Sequence, residues 1–189
     1  MELRTAEERV LDTAARLFNE RGVQAVGMDD IRAASGVSLK RLYQVFPAKD
    51  RLVEAVLRQR ERSTREAIER YVSDYPTPRE RVIGVFDWLH SWFQEPDFRG
   101  CTYINCFGEL HGTSEDVAKI ARAAKREVLD CIRELVVAAG LPKNLAEQLN
   151  ILVNGAIVLA AINGSPEPAR QAKAAAEALV GQGLRPTAT

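Results

Sequence analysis

Residues 27–46 read Gly-Met-Asp-Asp-Ile-Arg-Ala-Ala-Ser-Gly-Val-Ser-Leu-Lys-Arg-Leu-Tyr-Gln-Val-Phe. Their periodicity is that of two short helical runs around a tight turn. Met28, Ile31 and Ala34 recur at i, i+3, i+6 and predict one apolar stripe, and Leu39, Leu42, Val45 and Phe46 predict a second. Between them lies Ser35-Gly36-Val37-Ser38. Gly36 suits a left-handed residue that ends the first helix. Ser38 can cap the second by accepting a bond from an early backbone N–H, and Val37 offers an apolar plug beneath the corner. Two helices joined by a short Gly-containing turn are the sequence form of a helix-turn-helix.

The second run turns Lys40, Arg41, Tyr43 and Gln44 outward. From Ile31 to Lys49 the charged residues are Arg32, Lys40, Arg41 and Lys49, with no acid among them, although the whole chain balances 26 basic against 26 acidic residues. A locally acid-free face in a neutral protein is where a phosphate backbone can dock. Arg and Lys read guanine edges and Gln reads adenine. Lys40 and Arg41 are therefore the candidates for base-edge or groove contacts with double-stranded DNA, and Ser38, Tyr43, Gln44 and Lys49 for contacts mainly to phosphate. An ordinary helical hairpin with a solvated basic face has the same spacing. The alternative reading is thus a helical protein-interaction module without DNA binding.

The flanks extend the pattern. Arg9-Val10-Leu11, Ala14-Ala15, Leu17-Phe18 and Glu20-Arg21-Gly22 precede the stretch; Asp30-Ile31, the Ser35–Ser38 turn, Leu42-Tyr43, Phe46 and Lys49 complete it. Over about residues 5–56 this resembles the N-terminal domain of the tetracycline-repressor (TetR/AcrR) family of transcription regulators. Phe98-Arg99-Gly100-Cys101 followed by Asn105 resembles one branch of the same family. The resemblance implies a repressor acting as a homodimer on a palindromic operator, with a four-helix subunit contact and a small-molecule effector pocket in the C-terminal part. The chain departs from the family pattern at Arg32, where a small Ala is usual, at Lys40 and Val45, and at Gly27, where a capping Thr or Ser is common.

The rest of the chain reads as all-α: an N-terminal three-helix helix-turn-helix domain (1–47), then a helical effector-binding and dimerisation domain (48–189). Strand signals are absent and helix formers dominate. Three Cys without paired spacing suit a reducing compartment. Residues 1–20 carry five acids, unlike a signal peptide. The longest apolar run, Ile151–Ile162, has 12 residues and is too short to span a bilayer. The expectation is a cytoplasmic protein that does not engage a membrane.

A long helix, about 48–75, with a highly charged middle from Arg58 to Glu66, reads as a strut. The two most C-terminal helices, apolar beyond Leu149 and Ala-rich at Ala172, Ala175 and Ala176, are expected to form the dimer contact. Trp88, Trp92, Phe93, Tyr103, Phe107, His111 and Asn154 are the candidate ligand-binding set, because such sites combine apolar walls with a few polar groups. Cys101, Cys106 and His111 step by five residues, about 140° around a helix, so they diverge instead of converging on a metal. No phosphate loop, nucleophile elbow or His-Glu-x-x-His pair occurs, and the expectation is a non-enzyme without cofactor or metal.

Overall fold

The computed structural model describes residues 5–182; the side chains of 61–63 and 182 stand outside that description, as do Gly183 and Pro186, which the sequence reads with Gly181 as a loose tail, whereas Gly181 lies within the last helix. Among the described residues there are nine α-helices and no strand: α1 Ala6–Arg21, α2 Met28–Ser35, α3 Leu39–Val45, α4 Lys49–Ser73, α5 Pro78–Trp92, α6 Thr102–Leu110, α7 Glu115–Ala138, α8 Leu145–Asn163 and α9 Glu167–Gln182. The contacts divide the chain into two compact units. The first takes the described residues up to Arg62 together with Thr102–Ala124; the second takes Ser63–Cys101 with the described residues from Lys125 onward.

In the first unit α1 starts at a reciprocal cap. The Thr5 hydroxyl accepts from the Glu8 backbone N–H at 3.2 Å, and the Glu8 carboxylate accepts from the Thr5 N–H at 2.8 Å. Its inner stripe, Val10, Ala14, Leu17 and Phe18, meets Ile31, Val37, Leu42 and Phe46, and all eight are buried. Leu52, Val53, Val56 and Leu57 of α4 complete this core.

Two expected stripe positions differ. Ala34 is exposed, and Ile31 with Ser35 faces inward instead. The spacing i, i+4 keeps two side chains on one face of a helix better than i, i+6 does, and Ser35 is needed inside for the turn. Leu39 is 46% exposed and does not join Leu42 and Phe46.

The second unit is built from α5, α8, α9, the later part of α7 and the end of α4. Thr77 caps α5 with Glu80, and Pro78 occupies its first turn. The inner faces of α5 (Val82, Val85, Phe86, Leu89) and α9 (Ala169, Ala172, Ala176, Val180) are buried. Lys173 of α9 donates to both Asp87 carboxylate oxygens, at 2.7 and 2.9 Å, and the Tyr75 hydroxyl donates to the same carboxylate at 2.9 Å. Burial, reinforced by that anion, pushes the Tyr75 phenol well above its usual pKa, so Tyr75 remains a donor. The Tyr75 ring lies where a Cβ on Gly84 would stand, 2.9 Å from it, so only glycine fits there.

Helix α8 has two apolar faces. Leu145, Leu149, Val153, Ala156, Ile157 and Ala160 are buried within the chain. On the opposite side Ile151 is 71% exposed, Leu159 49% and Ile162 74%. Within a single chain α8 is therefore buried on one side only. Ala156 and Ala160 face inward, while Gly155 and Ala161, like Ala175 of α9, face outward. With 19 residues and a mean hydropathy of 1.7, α8 is by length and composition alone long enough to cross a membrane, which the 12-residue run did not suggest. The difference arises because the helix begins before that run, at Leu145.

The three cysteines are free and buried. Burial pushes the Cys131 thiol up to about 11 from an ordinary value near 9, although Arg65 acts the other way. A raised pKa leaves almost no thiolate at neutral pH, and the thiolate is the nucleophile. Iodoacetamide is therefore expected to modify Cys131 only after unfolding; labelling of the native protein as fast as that of denatured protein, read by mass spectrometry, would contradict this. Among the described residues no three His, Cys, Asp or Glu side chains gather to hold an ion.

Candidate nucleic-acid interface

The corner between α2 and α3 is closed by local chemistry. Gly36 has φ +66 and its N–H returns to the Arg32 carbonyl. A Cβ there would be both left-handed and 3.0 Å from Arg9 Nη2. Ser35 Oγ accepts from the Val37 N–H at 3.3 Å, and Ser38 Oγ accepts from the Arg41 N–H at 3.3 Å. Val37 is buried beneath the turn. Arg9 of α1 donates from Nη2 to the Ser35 carbonyl at 2.6 Å, satisfying a carbonyl at the end of α2 and fixing α1 to the corner.

That corner presents α3 with Leu42 and Phe46 inward and Leu39, Lys40, Arg41, Tyr43 and Gln44 outward. Arg41 Nη1 makes a long contact with Gln44 Oε1, 3.4 Å. Among the described residues Lys40 and Lys49 have no hydrogen bond or ion pair, and Lys49 sits half-buried in the first turn of α4. Arg32 bends outward to Asp29 at 3.4 Å, an exposed pair. Gly27 provides no side-chain cap to α2; instead Asp30 Oδ2 accepts the Gly27 N–H at 2.8 Å. Ser38 serves the helix through its hydroxyl, so its role on α3 is first of all structural.

A second fastening was not legible from the sequence. The Glu109 carboxylate, near the end of α6, accepts the backbone N–H of Val23 at 3.1 Å and of Gln24 at 2.8 Å, and the Gln24 side-chain amide donates to the Glu109 carbonyl at 2.8 Å. Tyr103 of the same helix donates to the Leu57 carbonyl of α4 at 3.1 Å. Gly22, at φ +82, lies so close that a Cβ would stand 3.1 Å from the Glu109 carboxylate. The one available signal was that Glu109 is the sole charged residue of α6.

The candidate ligand residues fall into groups. In the second unit Trp88 and Trp92 stack at 5.3 Å, Trp92 meets Phe98 edge-on at 5.1 Å, and Phe93 lies 4.7 Å from Phe98. Asn154 is apart from these in its bonding: its Oδ1 accepts from Lys125 Nζ at 2.7 Å and its Nδ2 donates to the Asn150 carbonyl at 2.7 Å. A small apolar crevice in the same unit is lined by Phe86, Ile132, Leu149, Val153 and neighbours, and by none of the seven candidates. In the first unit Phe107 stacks on His111 at 4.8 Å, His111 Nδ1 donates to the Phe107 carbonyl at 2.7 Å, and Tyr103 is engaged as described.

A three-helix head that closes a Gly–Ser corner beneath a cationic helix is a helix-turn-helix. Residues 10–56 match the model of the bacterial regulatory proteins, tetR family. The fold of a TetR-family transcriptional regulator from Streptomyces coelicolor superposes with a TM-score of 0.86 at 26% identity, covering 95% of this chain and 96% of that one. An uncharacterised HTH-type transcriptional regulator of Mycobacterium tuberculosis is 30% identical over 122 residues, 62% of this chain and 60% of its own length. The HTH-type transcriptional activator FasR of Mycolicibacterium smegmatis is 30% identical over 132 residues, 68% of this chain and 57% of its own length. The chain thus spans about 60% of the length of the curated relatives it matches. It is similar to the TetR family in sequence over residues 10–56 and in fold over nearly its whole length.

Proposed function

We propose that the protein is a cytoplasmic transcription regulator, a repressor that binds a palindromic operator as a homodimer and is released by a small-molecule effector. The observation that carries the reading is the outward face of α3, where Lys40, Arg41, Tyr43 and Gln44 all stand exposed on a helix without an acid. Two such helices, about 34–36 Å apart in a two-fold dimer, meet successive major grooves. Lys40 and Arg41 supply base-edge contacts; Tyr43, Gln44, Ser38 and Lys49 hold phosphate. The apolar face of α8 with α9 beside it supplies the subunit contact. The stacked aromatics Trp88, Trp92 and Phe93 are the first place to seek the effector, with Asn154, Tyr103, Phe107 and His111 as further candidates. An effector releases DNA by binding better to the form whose reading heads are wrongly spaced.

The test is duplex binding across a salt series, followed by selection from a randomised pool. Steep salt dependence and an inverted repeat are expected. Arg41→Ala should cost about 1–3 kcal/mol and relax selectivity at one base pair, whereas Lys49→Ala should weaken all sequences alike and lower the salt slope by about 1. Salt-independent or absent binding would favour the protein-interaction module instead. The relative named as an activator makes activation the alternative outcome of a promoter assay.

A further inference from the structure

We propose that Leu39 is a specificity-determining residue that reads the 5-methyl group of a thymine in the operator. This rests on the DNA-binding reading and sharpens it from a charged surface to one recognised base. Leu39 and Tyr43 are each 46% exposed, and among the described residues of the first unit they are the exposed large apolar side chains. Both lie on α3, one helical turn apart, so they form an apolar edge along a face whose other members are Lys40, Arg41 and Gln44. The core beneath does not use Leu39, since Ile31, Val37, Leu42 and Phe46 fill it at 6% exposure or less.

An apolar edge beside cations selects its partner by chemistry. The partner must be anionic enough to draw Lys40 and Arg41 and must offer an apolar group at their side. In the major groove the thymine C5-methyl is that group, and Ala, Thr methyl or Phe side chains are known to meet it. A branched aliphatic chain on the first residue of the reading helix fits the same role. Leu39 thereby adds discrimination against cytosine at a position where no hydrogen bond is made.

The experiment uses the full chain and the duplex that it selects from a randomised pool. Each thymine is replaced in turn by deoxyuridine, which removes the methyl and leaves every hydrogen-bonding group. The expected result is a loss of about fourfold at one position per half-site, the worth of one methyl withdrawn from water, and little change elsewhere. Leu39→Ala should bind the thymine duplex more weakly and lose the thymine-to-uracil ratio at that position, while Lys49→Ala binds more weakly and keeps it. Leu39→Gln serves as a second variant, and circular dichroism checks that both remain folded. Equal binding of thymine and uracil duplexes at every position, or an unchanged ratio in Leu39→Ala, overturns the inference while DNA binding stands. Failure of the unaltered protein to bind any duplex overturns the DNA reading and this inference together. A change of oligomeric state in Leu39→Ala, with DNA binding unaffected, assigns the edge to a protein partner and also overturns it.

Discussion

With Ile151 and Ile162 both replaced by Glu, the chain is expected to run as a monomer in analytical ultracentrifugation and to lose at least about a hundredfold in operator affinity. The two residues lie three turns apart on one face of α8, 71% and 74% exposed, with Gly155, Val158 and Leu159 between them on the same side. A row of large aliphatics facing water is the signature of an unpartnered interface. In a two-fold contact each residue occurs twice, so the variant removes four aliphatic side chains, each worth about 1.5–3 kcal/mol when buried. It also places four carboxylates where desolvation costs several kcal/mol apiece. A monomer meets one half-site only, which is why affinity for the palindrome falls so far.

The fold of the single chain should survive, because both side chains are largely exposed and α8 docks through Leu149, Val153 and Ala160 on its other side. Unchanged helicity and melting with lost dimerisation is thus the expected pattern. A dimer that persists in the double variant would move the subunit contact elsewhere. The result also bears on the hydropathy of α8, since a membrane segment given two carboxylates would change its partition and not its stoichiometry.

Much of the first unit was legible because its determinants are local. A cap needs a hydroxyl three residues before the N–H it accepts, and Thr5 and Ser38 both sit at that offset. The left-handed turn needs glycine, and Gly36 supplies it. Where periodicity had few turns to act on, it set the wrong phase. Helix α2 has eight residues, and its inside is chosen by Ile31 and by the Ser35 hydroxyl that the turn requires, not by Ala34. Leu39 fits the spacing of Leu42 and Phe46, but a seven-residue helix buries only the face that its neighbours leave room for. Long-range polar pairs leave no periodic trace: Arg9 with Ser35, Lys173 with Asp87 and Glu109 with Gln24 are joined only by the fold. The same holds for the aromatic residues, whose helical spacing is shared by plain core and by binding sites.

The Glu109 fastening leads to an expected effect on the reading head itself. Glu109→Ala removes a carboxylate that accepts two backbone N–H groups of the α1–α2 loop, and it leaves both to water or to no partner. Bonds to a charged acceptor are worth about 1.5–3 kcal/mol each, but this group is only half-buried, so a total near 2 kcal/mol is the appropriate scale. Hydrogen exchange should show it directly: the Val23 and Gln24 amides, slow in the unaltered protein, should exchange like an open loop, while amides of α8 and α9 keep their rates. Glu109→Gln should fall between the two, since its carbonyl oxygen serves one N–H while its amide NH₂ confronts the other, a donor against a donor. Gln24→Ala should cost least, because it loses only the bond to the Glu109 carbonyl. Operator affinity should follow the same order, since α2 and α3 are positioned through the loop that Glu109 holds and α6 is tied to α4 by Tyr103. Identical exchange at Val23 and Gln24 in all three variants would show that α6 and the reading head are held together by apolar contact alone.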